Sequence, residues 1–144
     1  MIVVTNSGRP NRIRSSSGGE TFVSGTYTDL EVWRCAMDFV VEVYRHTNSF
    51  PRHETYGLAN QLRRAAVSVP SNIAEGKGRR SEKELIQFLS QARGSLCEAE
   101  TQIMLARRLG YLEEREEQGM LKQASRVGQL LNGLMRAFRE SPAA

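Results

Sequence analysis

Only two cysteines, two histidines and four prolines occur among 144 residues, and aromatic side chains make up 7% of the chain. Each scarcity removes a class of protein. Cys35 and Cys97 form no Cys-x-x-Cys pair and fall among apolar neighbours in predicted helices. They read as small core hydrophobes of a protein in a reducing compartment, and a disulfide between them is not expected. His46 and His53 do not stand at Glu-x-x-His spacing, which excludes the di-iron bundle pattern, and no Cys/His set has the spacing of a zinc site. No metal and no cofactor is expected. There is no run of eighteen apolar residues, so no membrane span is expected, and Met1-Ile2-Val3-Val4 is too short for the core of a signal peptide. A cytoplasmic location follows as the expectation. Gly76-Lys77-Gly78 lacks the spacing of a phosphate loop and follows no strand. Ser81 with Lys83, or Ser95 with Glu98, could be drawn as catalytic pairs, but helix capping and interhelical hydrogen bonding account for them better. The chain is expected not to be an enzyme.

What the chain does have is charge in particular places. Twenty basic and sixteen acidic residues give a net charge of +4, and the length suits one domain. Arg45, Arg52, Arg63, Arg64, Lys77, Arg79 and Arg80 face only Glu54 and Glu75 between positions 45 and 80, and Arg9, Arg12 and Arg14 add to the start of the chain. Local excess of this kind suits a polyanionic partner. It is also compatible with a basic surface that only aids solubility.

The periodicity is helical throughout the rest. Residues 1–27 lack it and are rich in Ser, Gly, Thr and Arg, which predicts a disordered basic tail. It is either a passive arm, an arm that meets phosphates, or an extension from a misassigned start. Residues 28–140 divide into four helices. The first spans about Asp29 to Thr47, capped by Thr28 with Glu31, with Leu30, Trp33, Met37, Val40, Val41 and Tyr44 as its apolar face, widened by Val32 and Phe39. The second starts near His53 or Glu54 and reaches about Ala74. Pro70 lies inside it, and Leu62, Val69 and Ile73 keep phase across the proline, so a kinked continuous helix is favoured over a break near Ser68. The third begins at the Ser81–Glu84 capping box and ends at Gly110, and the fourth runs from about Glu113 to Arg139 with a glutamate-rich first turn. Short links between them predict an all-α, up-and-down antiparallel four-helix bundle.

Helices two and three each carry a polar stripe of small amides and hydroxyls beside the apolar one. Folding them about the turn near Gly78 sets Arg64, Ser68, Asn72 and Glu75 against Gln91, Ser95 and Glu98. The expected bonds are Arg64 with Glu98, and Ser68 and Asn72 with Gln91 or Ser95. Glu75 is placed to hold the turn through Lys77, Arg79 or Arg80. Such a seam reads first as architectural, setting register and oligomer contacts, and second as a groove for a ligand or RNA. The cations Lys77, Arg79 and Arg80 at the turn, with Arg63, are the candidate nucleic-acid contacts. Trp33, Tyr44, Tyr56 and Tyr111 are either core and interface anchors or stacking platforms.

The run SVPSNIAEGKGRRS followed by FLSQARGSLCEAET, with DLEVWRCAMDFVVEVYRHTNSFP and ETYGLANQLRRAAVSVP before it, resembles the four-helix-bundle family named after proteins encoded in intervening sequences of bacterial 23S rRNA. The resemblance covers roughly Asp29 to Phe138. It implies a small non-enzymatic bundle that assembles as a homo-oligomeric ring, typically a pentamer. The fold is similar to that of the accessory proteins of diversity-generating retroelements, which bind nucleic acid and a reverse transcriptase. The functional expectation is therefore a ring that binds nucleic acid, RNA in the first instance, beside a reverse transcriptase or a ribosomal component. The alternative is a protein–protein interaction scaffold with no nucleic-acid role, its basic turn meeting an acidic partner.

Overall fold

A computed structural model of the chain describes residues 26–139 together with four two-residue strands before them. Those strands are β1 (Val3–Val4), β2 (Pro10–Asn11), β3 (Ile13–Arg14) and β4 (Glu20–Thr21), paired antiparallel as β1–β2 and β3–β4. The expectation of a disordered tail over residues 1–27 falls largely on residues outside those described. Thr26 and Tyr27 belong to the bundle. A 3₁₀ turn over Tyr27–Asp29 folds the Tyr27 ring to 5.4 Å from Trp33.

Four helices follow: α1 (Glu31–Thr47), α2 (Leu58–Lys77), α3 (Glu82–Arg108) and α4 (Glu114–Arg139). Around the bundle α1 packs on α2, α2 on α3, α3 on α4 and α4 on α1, with α2–α3 the most extensive pair. This is the antiparallel up-and-down arrangement that short connections enforce, and it sets α1 and α3 on opposite corners.

Local chemistry explains most of the helix ends. Ser81 caps α3 by accepting from the Glu84 backbone N–H at 3.2 Å. At its other end Gly110 takes φ +82°, and Tyr111 N–H reaches Ala106 O at 2.9 Å while Gly110 N–H reaches Arg107 O at 3.1 Å. That is a Schellman cap, which a glycine enters without steric cost. Two starts differ from expectation. Thr28 does not cap α1; Leu30 holds the N-cap position without a side-chain bond, and the turn before it is closed by Thr26 N–H donating to Asp29 Oδ2 at 3.1 Å. α2 begins at Leu58 rather than near His53, because residues Arg52–Glu54 form a separate 3₁₀ turn.

α2 continues unbroken through Pro70. Two carbonyls in the turn before the proline are served by side chains: Ser71 Oγ donates to Val67 O at 2.8 Å, and Asn72 Nδ2 to Ser68 O at 2.8 Å. At the end of α2, Gly76 lies so close to α3 that an added Cβ would stand 2.8 Å from Phe88 Cβ and 3.1 Å from Leu85 Cδ1. Glycine is what lets the two helices converge at their connection. Gly94 is the opposite case: a Cβ there meets nothing within 4 Å, so no neighbouring helix among the described residues packs against it.

The core follows the predicted stripes on α2, where Leu62, Ala65, Ala66, Val69 and Ile73 are buried, and largely on α3 and α4. On α1 the expected face is rotated by one residue, about 100°. Val32, Ala36, Phe39, Val43 and Thr47 point inward, while Met37, Val41 and Tyr44 are 38%, 45% and 43% exposed. α1 has two apolar stripes, and a single chain can cover only one. The buried stripe is the one containing Ala36, whose small side chain allows the close helix packing that a Met or Trp would hold apart. Near the end of α3, Met104, Leu105 and Leu109 are exposed. Among the described residues no helix is long and apolar enough to cross a membrane.

Candidate nucleic-acid interface and polar groove

The α2–α3 connection is a tight turn. Gly78 N–H bonds to Glu75 O and Arg79 N–H to Gly76 O, both at 3.1 Å. Arg79 is anchored there twice, by an ion pair with Glu75 at 2.8 Å and by its guanidinium lying 4.7 Å from the centre of the Phe88 ring. Of the partners expected for Glu75, Arg79 is the one the geometry selects. Lys77 is half-buried, and burial pulls its pKa below the usual lysine value, opposed by Asp29. Arg80 is exposed and makes no ion pair among the described residues.

The last turn of α4 ends on the same side of the bundle. Ser90 Oγ lies 3.6 Å from Met135 Sδ, which sets the end of α4 beside the first turns of α3. Arg136 and Arg139 are exposed there, as is Lys83, and none of the three is ion-paired among the described residues. The sequence reading did not include these three. Their signal was the antiparallel topology itself, which returns the chain end to the α2–α3 turn. Glu82 and Glu84 are interleaved with them.

Arg63 does not join this surface. It and Lys77 stand about 21 Å apart on α2 at about 1.5 Å per residue. Its Nε donates to Thr47 Oγ1 at 2.8 Å and its Nη2 to Asn48 Oδ1 at 3.0 Å, and the guanidinium lies over Tyr44 at 4.9 Å. Arg63 thus ties α2 to the C-terminus of α1. The aromatic residues divide similarly. Trp33 packs on Tyr27, Tyr44 lies under Arg63, and Tyr111 packs on Phe50 at 5.4 Å, whereas Tyr56 is 93% exposed with no ring contact among the described residues.

The polar seam forms in part. Ser68 Oγ and Ser95 Oγ are 2.9 Å apart, and Asn72 Nδ2 donates to Ser68 Oγ at 2.9 Å. Asn72 therefore reaches α3 only through Ser68. Gln91 is exposed and makes no seam bond, and Glu75 belongs to the turn. The expected Arg64–Glu98 pair is absent. Both residues are exposed, with no hydrogen bond or ion pair between them, and both line an open groove of about 380 Å³ between α2 and α3 with Asn60, Gln61, Ser68 and Ser95. Water at this surface solvates a guanidinium more cheaply than a buried pairing would.

A second cleft, about 450 Å³, lies between α1 and the start of α4. His46 Nδ1 is 2.8 Å from Glu116 Oε2 and its Nε2 is 3.4 Å from Glu42 Oε2. Glu116 also accepts from the Glu113 backbone N–H at 2.9 Å, closing the first turn of α4. That backbone bond is the main cause holding the Glu116 carboxyl below the usual glutamate pKa of 4.5, with burial opposing and His46 assisting. A depressed carboxyl pKa stabilises the fold above the unfolded value and the gain is lost as pH falls through the folded one. Glu116→Gln is therefore expected to lower the melting temperature at pH 7, and the difference from the parent should shrink as pH falls through the depressed folded-state pKa of the carboxyl. A deficit that persists unchanged at acid pH would show that the charge of Glu116 is not what matters.

The two cysteines differ. Cys35 is partly buried, and burial first, then Glu31, push its thiol pKa up. Cys97 is exposed, not a core residue as expected, with Arg93 Nη1 3.2 Å from its Sγ. Among the described residues no group of three or more His, Cys, Asp and Glu side chains could hold a metal ion.

Among curated proteins none matches the chain. One solved structure with the same fold is a protein of unknown function from the S23 ribosomal protein family of Bacteroides thetaiotaomicron, 19% identical with a TM-score of 0.68, covering 72% of this chain and 97% of that one. The family model for 23S rRNA-intervening sequence proteins matches residues 28–133, which takes in all of α1, α2 and α3 and most of α4. The chain belongs to the 23S rRNA-intervening sequence protein family.

Proposed function

We propose that this protein is a non-enzymatic, cytoplasmic bundle that assembles as a homo-oligomer, a pentameric ring, and binds nucleic acid, RNA in the first instance, as an accessory to a reverse transcriptase or a ribosomal component. The observation that carries the binding reading is the set of exposed cations at one end of the bundle that make no ion pair among the described residues: Arg80, Lys83, Arg136 and Arg139, flanking Lys77 and Arg79. Repeated around a ring they would meet several phosphates, and binding of this kind follows backbone shape rather than sequence. Assembly is supported by two apolar strips on opposite corners of the bundle. One holds Met37, Val41 and Tyr44 of α1 with Val67 of α2; the other holds Met104, Leu105 and Leu109 at the end of α3. A ring needs two different, mutually complementary surfaces per subunit.

The same strips favour the second reading, a protein-interaction scaffold without nucleic acid. Light scattering of the purified protein, with and without a structured RNA, separates the two. The first reading expects an oligomer that gains the mass of RNA at about 50 mM salt and loses it by about 200 mM, since affinity falls steeply with salt when several phosphates are neutralised. An oligomer that ignores RNA at low salt overturns the binding reading and leaves the scaffold.

A further inference from the structure

The chain enters the bundle at the end where its cations gather. The Tyr27–Asp29 turn packs on α2, and Tyr27 shares an apolar hollow with Ser71 and Ala74 of that helix. Ala74 and Lys77 are three residues apart, about 4.5 Å along the helix axis. Burial lowers the Lys77 pKa, and the Asp29 carboxylate is near enough to oppose it. Thr26 therefore stands beside the last turn of α2, where the α2–α3 turn begins. The glutamate-rich start of α4 is at the other end of the bundle, since Glu114 and Arg139 are about 38 Å apart along the helix.

Residues 1–25 precede that point. They carry Arg9, Arg12 and Arg14 with Glu20 as their one acid, among Ser, Thr, Asn and Gly. Guanidinium, hydroxyl and amide donors are the set that contacts phosphate and sugar rather than base edges. The backbone turns one of these arginines back toward the bundle. β3 and β4 pair Arg14 with Glu20, and the six residues from Glu20 to Thr26 span at most about 22 Å. The family model begins at residue 28, so these arginines lie outside the family match.

We propose that residues 1–25 are a second nucleic-acid contact, in which Arg9, Arg12 and Arg14 meet the phosphate backbone of the same RNA that the cations at the α2–α3 turn hold. The inference rests on the nucleic-acid reading above and extends its footprint beyond the bundle. A passive segment could leave the bundle at any corner. This one leaves where the phosphates of an RNA bound at the turn would pass. Once that RNA is held, each further phosphate contact is intramolecular, so arginines tethered within reach act at high effective concentration. Each contact releases its own counterions, and the salt dependence of the whole chain is the sum of the two sets.

The test uses the full chain with Arg9→Gln, Arg12→Gln and Arg14→Gln together, titrated with a fluorescent RNA hairpin from about 50 to 200 mM salt. The slope of log affinity against log salt should fall by about 0.9 for each arginine that meets a phosphate, and binding at low salt should weaken at least about tenfold. Helical circular dichroism and the melting temperature should not change, because the substitutions lie before the bundle. Poly-glutamate serves as an anionic probe without a phosphate backbone. A triple variant with the parental slope, while the parent protein binds the RNA, overturns the proposal and leaves the basic end standing alone. A variant that melts at lower temperature with its slope intact also overturns it, and makes the segment a partner of Glu82 and Glu84 instead. Arginine-dependent binding of poly-glutamate without arginine-dependent binding of RNA overturns it in favour of an acidic protein. A parent protein that ignores the RNA at low salt overturns both this proposal and the reading on which it rests.

Discussion

Truncating Phe39 to alanine should cost about 3–5 kcal/mol, a large part of the ~5–15 kcal/mol that holds a domain of this size together. Phe39 is fully buried in the core cluster, midway along α1. Removing its ring forfeits the transfer free energy of the aromatic group and leaves a cavity into which the neighbouring helices collapse only partially. The instructive comparison is Met37→Ala, two residues away on the same helix. Met37 is 38% exposed, and its truncation should change unfolding in urea by no more than about 0.5 kcal/mol for a surface substitution in an isolated subunit. If Met37 instead lies in a subunit interface, the same change should dissociate the oligomer in light scattering. A Phe39→Ala protein whose urea midpoint matches the parent would mean that the inward face of α1 is the other stripe.

The second large effect concerns charge. Arg80→Gln, Arg136→Gln and Arg139→Gln together remove three cations from the end of the bundle without touching the Arg79–Glu75 pair that holds the turn. If each meets a phosphate, the slope of log affinity against log salt should fall by about 2.7, at about 0.9 per contact, and binding at low salt should weaken at least a hundredfold. Arg63→Gln is the contrast. Its donors are spent on Thr47 and Asn48, so it should leave the salt slope unchanged and cost about 1–3 kcal/mol of stability through lost charged hydrogen bonds. Should the triple variant keep the parental slope while Arg63→Gln loses it, the interface lies at the opposite end of the bundle.

Much of the architecture was legible in the residues. Ser81 with Glu84, Gly110, and the apolar phase of α2 are local signals, decided by a few bonds within one turn, and they fall where the spacing put them. The family motif around Gly76 is legible too, though its reason is not: only the packing, in which an added Cβ would stand 2.8 Å from Phe88 Cβ, shows why a side chain is excluded there. The site was less legible. The Ser68–Ser95 bond followed from register, but the Arg64–Glu98 pair did not form, because long exposed side chains are placed by solvation and not by helix spacing. Arg136 and Arg139 were passed over because nothing near them in sequence links them to the turn.

The sequence by itself determined the four helices, the caps of α3, the continuity of α2 through Pro70 and the antiparallel order, since each depends on contacts within a few residues or on the shortness of a connection. Only the tertiary structure decided which of the two apolar stripes of α1 turns inward, which cations gather at one end, and that the buried Gln102 Oε1 finds no partner among the described residues. A stripe, a charge or an amide has no preferred neighbour until other helices compete for it, and that competition is settled by close packing and by the cost of removing polar groups from water.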